Sequence, residues 1–117
     1  MQSIENLQAK LRQFSTDRDW EKFHTPKNLA VALSVESSEL LEIYQWLNDE
    51  EAKAIMLDEK KRISVQEEVA DILIYLLRFC DVNKIDPLQA IEDKVSKNAK
   101  KYPIEKSRGI ATKYTEL

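Results

Sequence analysis

The sequence predicts an all-α protein, an antiparallel four-helix-type bundle with one additional short helix. Three observations lead there. Apolar residues recur at helical spacing along most of the chain. Gly109 is the single glycine in 117 residues, which leaves too few turn formers for an all-β fold. Thr25-Pro26 and Asp86-Pro87 read as helix starts, because proline is well tolerated in the first turn. This length makes one domain, residues 1–117, built around two long central helices.

The first helix is expected from about Ile4 to Phe14, with Ser3 as its cap and Ile4, Leu7 and Leu11 on one face. A polar segment, Ser15 to Thr25, follows and contains Arg18-Asp19-Trp20-Glu21-Lys22-Phe23-His24. Two aromatic rings and the only histidine in a connecting segment point to a contact, since loops otherwise hold few large rings. The second helix runs from Pro26 to about Leu47, and a shorter charged one from about Glu50 to Lys60 with Asp49 as cap. Ser64-Val65-Gln66-Glu67 has the capping-box pattern and opens the fourth helix, the most apolar, which reaches about Asp81. The fifth starts at Asp86-Pro87 and stops at about Tyr102, before Pro103. Residues 103–117 are expected to form an irregular tail.

Composition narrows the function. Lys plus Arg number 18 against 21 Asp plus Glu, a net charge of −3, which argues against nucleic acid or an anionic membrane as partner. A lone glycine excludes a glycine-rich phosphate loop or a dinucleotide-binding fingerprint. A lone cysteine, Cys80, excludes an internal disulfide and a Cys-based zinc site, fits a reducing, cytoplasmic compartment and reads as packing. No apolar run approaches the roughly 18 residues of a membrane span, and the polar N-terminus lacks the pattern of a signal peptide.

The informative residues are acids on faces that ought to be apolar. With Glu36 at 0° on the second helix, Leu29, Leu33, Leu40, Ile43 and Leu47 fall at about +20, +60, +40, −20 and +20°. Glu36 therefore sits inside the apolar stripe, and Glu39 lies at its edge, at about −60°. On the fourth helix, with Asp71 at 0°, Tyr75, Phe79 and Ile72 fall at about 40, 80 and 100°, and Glu68 at about 60° among them. Burying unpaired carboxylates is costly, so the pairs Glu36/Glu39 and Glu68/Asp71 call for a cation. Basic side chains are scarce: the second helix has none after Lys27, and the fourth has only Arg78. A divalent metal is the better compensation. Hard oxygen donors without histidine or cysteine select Mg²⁺ or Mn²⁺, and Mg²⁺ usually accompanies a phosphate-bearing substrate. Acid pairs of this spacing are also common on solvated helix faces, and from the residues alone the two readings balance.

Lys94, Asn98 and Tyr102 follow i, i+4, i+8 spacing on the fifth helix, with Lys101 near the same line. They form a row of donors for phosphate oxygens or a sugar hydroxyl. The plainer reading, a solvated basic face near a helix C-terminus, carries more weight on these residues alone. Trp20, Phe23, His24 and Trp46 offer an aromatic pocket for a base, or alternatively close the ends of a small core.

Together these segments resemble the all-α NTP pyrophosphohydrolases, the MazG-like superfamily, and most closely its dCTP pyrophosphatase branch. The resemblance rests on Glu36-x-x-Glu39 with Glu68-x-x-Asp71, and on Arg18-Asp19-Trp20-Glu21-x-Phe23-His24. Gln45-Trp46, Asp71-Ile72-Leu73-Ile74-Tyr75-Leu76 and Lys113-Tyr114-Thr115-Glu116-Leu117 extend it over nearly the whole chain. It departs from the signature at Val35, where a second Glu is frequent, and at Ser37-Ser38. The resemblance implies Mg²⁺-dependent hydrolysis of a nucleoside triphosphate, dCTP or a modified pyrimidine deoxynucleotide, to the monophosphate and pyrophosphate. It implies that Glu36, Glu39, Glu68 and Asp71 hold the metal and carry catalysis. Lys94, Asn98 and Tyr102 would then meet phosphate and sugar, and Trp20, His24 and Trp46 the base. It also implies a homo-oligomer, a tetramer before a dimer. Two rivals stand beside it: the same chemistry on another nucleotide such as dUTP, and a non-catalytic helical module whose acids form inter-subunit salt bridges.

Overall fold

Local capping chemistry sets out the elements of the structure, a computed structural model that describes residues 2–117. Helix α1 is Ile4–Asp17, and the Ser3 side chain accepts from the Asn6 N–H at 3.0 Å. Helix α2, Pro26–Tyr44, starts behind Thr25, whose hydroxyl accepts from the Asn28 N–H at 3.2 Å. Helix α3 is Asp49–Ala54, and a 3₁₀ turn at Ile55–Leu57 leads into the long helix α4, Glu59–Asn83. Helix α5 is Pro87–Lys101, capped by Asp86, and the chain closes with the short helix α6, Ile104–Ser107, and a 3₁₀ turn at Tyr114–Glu116. No strand occurs among the described residues, so the all-α expectation holds.

Several boundaries differ from those the sequence predicts. The first helix runs past Phe14 to Asp17, because the Thr16 hydroxyl donates to the Arg12 carbonyl and Gln13 Nε2 donates to the Asp17 carboxylate. The second stops at Tyr44 instead of Leu47, because Asn48 opens the next helix. Asn48, not Asp49, is that cap, in a reciprocal capping box with Glu51. The third helix does not reach Lys60. Asp58 turns extended and accepts from the Lys61 N–H at 2.9 Å, so the fourth helix begins at Glu59. Ser64, expected to start that helix, lies inside it and donates its hydroxyl to the Lys60 carbonyl. The fourth helix therefore also carries Lys60, Lys61 and Arg62, at least a turn and a half before Glu68. The tail is partly regular, with α6 and the last 3₁₀ turn within the stretch expected to be irregular.

The chain forms two compact units, one ending at Lys84 and the other comprising Ile85–Leu117. In the first, α2 packs along α4, and α1 packs on α4 as well. Their directions follow from their contacts. His24, just before α2, meets Arg78 late in α4, while Leu47, just after α2, shares a cavity with Lys61 early in α4. Helices α2 and α4 are thus antiparallel. Gln8 Nε2 donates to the Leu77 carbonyl and Arg12 pairs with Asp81, so α1 runs parallel to α4. Leu29, Ile55, Val65 and Cys80 are buried at the centre, and burial raises the Cys80 thiol pKa. No helix among the described residues is long and apolar enough to cross a membrane.

Candidate active site

The antiparallel pair α2 and α4 brings two acid pairs face to face. Glu36 and Glu39 lie one turn apart on α2, and Glu68 and Asp71 one turn apart on α4. One carboxylate oxygen each from Glu36, Glu39 and Glu68 lies within 4.8 Å of the others, and all three residues are half-buried. Glu36 Oε2 and Glu68 Oε2 are buried without a hydrogen-bond partner. Burial, then the close approach and charge of Glu39, push the Glu36 carboxyl up to about 7, and Asp71 and Glu68 add to this. Burial and Glu39 raise Glu68 in the same direction. Asp71 is not one of the three converging groups, but its charge acts on both Glu36 and Glu68. Among the described residues no ion pair reaches any of the four acids. Crowded, oxygen-only, with two orphaned acceptors, the cluster has the chemistry of a site for a hard cation.

Beside it lies a cavity of about 200 Å³ that Asp71 also lines, so cluster and cavity adjoin. Its walls include Phe14, Trp20, His24, Ile74 and Tyr75. Backbone geometry sets the aromatic wall. At the end of α1 the Trp20 N–H donates to the Ser15 carbonyl at 2.9 Å and the Asp19 N–H to the Thr16 carbonyl at 3.1 Å. This is a Schellman turn, with Asp19 in the left-handed region at φ 55°. A 3₁₀ turn at Glu21–Phe23 then delivers His24, whose N–H donates to the Glu21 carbonyl. Trp20 stands edge-to-face with Phe14 at 5.8 Å and with His24 at 6.3 Å between ring centroids.

At the cavity wall a polar chain runs from α1 to His24. Arg12 holds Asp81 through two hydrogen bonds of 2.8 and 2.9 Å and keeps that carboxyl below its ordinary range. Arg78 donates from Nη1 to Asp81 at 3.2 Å and from Nε to His24 Nδ1 at 3.3 Å. The Ser15 hydroxyl lies 3.3 Å from the same nitrogen. Burial, then the charge of Arg78, lower the His24 pKa, against an opposite pull from Glu21.

Of the residues expected to line an aromatic pocket, the structure brings Trp20 and His24 together and leaves two out. Phe23 is exposed beneath the Lys22 ammonium, and Trp46 is 87% exposed in the turn after α2. Lys94, Asn98 and Tyr102 belong to the second unit, where Lys94 and Asn98 share one line of α5 and Tyr102, the residue that caps its end, leaves the helical conformation at φ −121° and ψ 72°. There the neighbouring charge of Lys101 lowers the Lys94 pKa, and Tyr102 stacks edge-to-face on Tyr114 at 6.0 Å. Sequence reasoning missed Tyr75, Ser15 and Arg78 as site residues. The signal was available for two of them: Tyr75 and Arg78 follow Asp71 at i+4 and i+7, one face of α4. Ser15 carried none, because it was placed in a loop and not in the last turns of α1.

A helical pair facing two acid pairs inward, beside an aromatic cavity, defines a class, and the chain belongs to the MazG-like family, which it matches over residues 31–117. Among its relatives, dCTP pyrophosphatase 1 of Bos taurus is 41% identical over 98% of this chain and 68% of that protein. The Homo sapiens dCTP pyrophosphatase 1 is 36% identical over the same shares. A solved structure, a pyrophosphatase from Archaeoglobus fulgidus, is 47% identical with a TM-score of 0.82, covering 88% of this chain and 94% of that one.

Proposed function

We propose that this protein is a nucleoside triphosphate pyrophosphohydrolase. It converts dCTP, or a modified pyrimidine deoxynucleotide, and water to the monophosphate and pyrophosphate, and so cleanses the nucleotide pool. The observation that carries the reading is the convergence of Glu36, Glu39 and Glu68 with two buried carboxylate oxygens left without partners. Relatives with dCTP pyrophosphatase activity in their names support the choice of substrate.

In this reading Glu36, Glu39, Glu68 and Asp71 hold Mg²⁺, or Mn²⁺ in its place. When bound, the ion neutralises the phosphate chain and polarises it as a Lewis acid. Glu36 or Glu39 takes the proton of the water that attacks the α-phosphorus in line, and pyrophosphate leaves. Lys94, Asn98 and Tyr102 contact phosphate oxygens and the sugar, with Lys94 stabilising the leaving group. Trp20 and His24 hold the base, and Trp46, about 28 Å away at the other end of α2, joins them from a neighbouring copy of the chain. Both compact units serve one catalytic domain, the protein works as a homo-oligomer, a tetramer before a dimer, and free Cys80 fits a reducing cytoplasm.

The test is a product assay over a nucleotide panel, in Mg²⁺ and in EDTA. Monophosphate and pyrophosphate, strongest from dCTP and absent in EDTA, are expected. The same products from another base, dUTP for example, would keep the chemistry and discard the base assignment. Folded protein that turns over no nucleotide would defeat the reading.

A further inference from the structure

Arg78 is 5% exposed, and its buried guanidinium meets the imidazole of His24 at the wall of the aromatic cavity. A guanidinium only donates, so the nitrogen that faces Arg78 Nε at 3.3 Å has to accept. That nitrogen is Nδ1, and a proton there would set N–H against N–H in a buried place, leaving one donor unsatisfied. The Ser15 hydroxyl, on the same nitrogen at 3.3 Å, is compatible with either form because a hydroxyl donates or accepts. The ring therefore carries its hydrogen on Nε2. Asp81 anchors the guanidinium through Nη1 and is itself gripped by Arg12, so Arg78 is held from behind while it faces His24.

We propose that Arg78 is a positioning residue that locks His24 as the neutral Nε2–H tautomer, so that the cavity offers a ring donor to an acceptor atom of its ligand, such as a pyrimidine carbonyl. The inference rests on the cavity being the base site of the proposed function. It goes further by naming the form of the imidazole and the residue that selects it. Arg78 acts through His24 and touches no reacting atom.

The chain has one histidine, so long-range ¹H–¹⁵N spectra of this 117-residue chain report its imidazole without ambiguity. At a pH where the ring is neutral, the native protein is expected to show a pyridine-type Nδ1 and a pyrrole-type Nε2. The reverse assignment, or a mixture, overturns the proposal. Arg78→Met leaves Asp81 paired with Arg12, so no carboxylate is stranded. It is expected to convert the ring to a mixture of tautomers and to raise KM for dCTP about three- to tenfold with kcat little changed, the size of one misdirected hydrogen bond. A tautomer unchanged in Arg78→Met, or a changed tautomer with an unchanged KM, overturns it. Ser15→Ala decides the matter should Arg78→Met fail to fold. Its ring is expected to keep the native tautomer, and loss of the lock there would hand the role to Ser15. The spectra need no substrate. Wild-type protein with the lock intact but no turnover of any nucleotide would support the hold of Arg78 on His24 and defeat the pyrophosphatase reading instead.

Discussion

Two carboxylate oxygens, Glu36 Oε2 and Glu68 Oε2, sit buried without partners among other acids, and the consequences for pH and metal follow directly. Both carboxyls are pushed above their unfolded values, Glu36 up to about 7, so at these two groups the metal-free folded protein holds more protons than the unfolded chain from about 4.5 upward. The stability that these two carboxyls contribute is full below that range and falls as pH rises through it, whereas His24, its pKa lowered, contributes in the opposite direction as pH rises toward its ordinary value. Melting curves of metal-free protein and of Glu36→Gln across this range check this: the variant is expected to lose less stability as pH rises, and an identical slope would contradict it. A divalent cation that binds only the folded state should raise the melting temperature and flatten the fall. Glu68→Gln is expected to reduce turnover at least about 100-fold while sparing the fold, since it removes a charged ligand but keeps the shape. Retained activity would take Glu68 out of the ligand set. Trp46, exposed as it is, is expected to act on binding: Trp46→Ala should raise KM about tenfold with kcat nearly intact, the value of one stacked base. An unchanged KM would end its assignment to the base.

At the scale of elements, the acids were legible because charge inside an apolar stripe violates the helical pattern, whatever the exact ends of the helix. Boundaries were less legible, because several capping side chains compete and one sequence cannot rank them. Asp58 and Ser64 are such rivals. Asp58→Ala is expected to cost about 1 kcal/mol by removing the cap of α4, whereas Ser64→Ala should stay within about 0.5 kcal/mol. Urea unfolding of the two variants gives the ranking, and the opposite order would place the helix start at Ser64. Between α1 and α2 the ring contacts that the sequence predicts form at Trp20 and His24, while Phe23 is left exposed. The partners of this segment were not readable, because the Schellman turn at Asp19 and the α4 residues beneath it are matters of three-dimensional placement. Arg78 was weighed only as a counter-charge to the acids. It turned out to face His24 and Asp81, which the spacing along α4 alone does not reveal.

For the whole molecule, the fold class followed from apolar periodicity and the scarcity of glycine, while the division into two compact units left no mark in composition. Val31, Val35, Leu41 and Leu73 on α2 and α4 are half or more exposed, as are Leu88, Ile91 and Val95 on one face of α5. So much apolar surface on a chain of 13.7 kDa is what self-association covers. Light scattering is expected to give a mass several times 13.7 kDa, with four copies favoured, and a monomer at assay concentration would refute the oligomer.

Helix α4 carries Glu68, Asp71, Tyr75 and Arg78 within an arc of about 80°. One unbroken rod thus presents the cation cluster, the cavity wall and the partner of His24 together. Inserting or deleting a single residue between Glu68 and Arg78 would swing every later side chain by about 100° and part the cluster from the cavity. The stretch between α2 and α4, with its turn, short helix and 3₁₀ segment, faces no such demand. Variation in chain length belongs there, while from Glu68 to Arg78 the spacing is fixed by the turn of the helix itself.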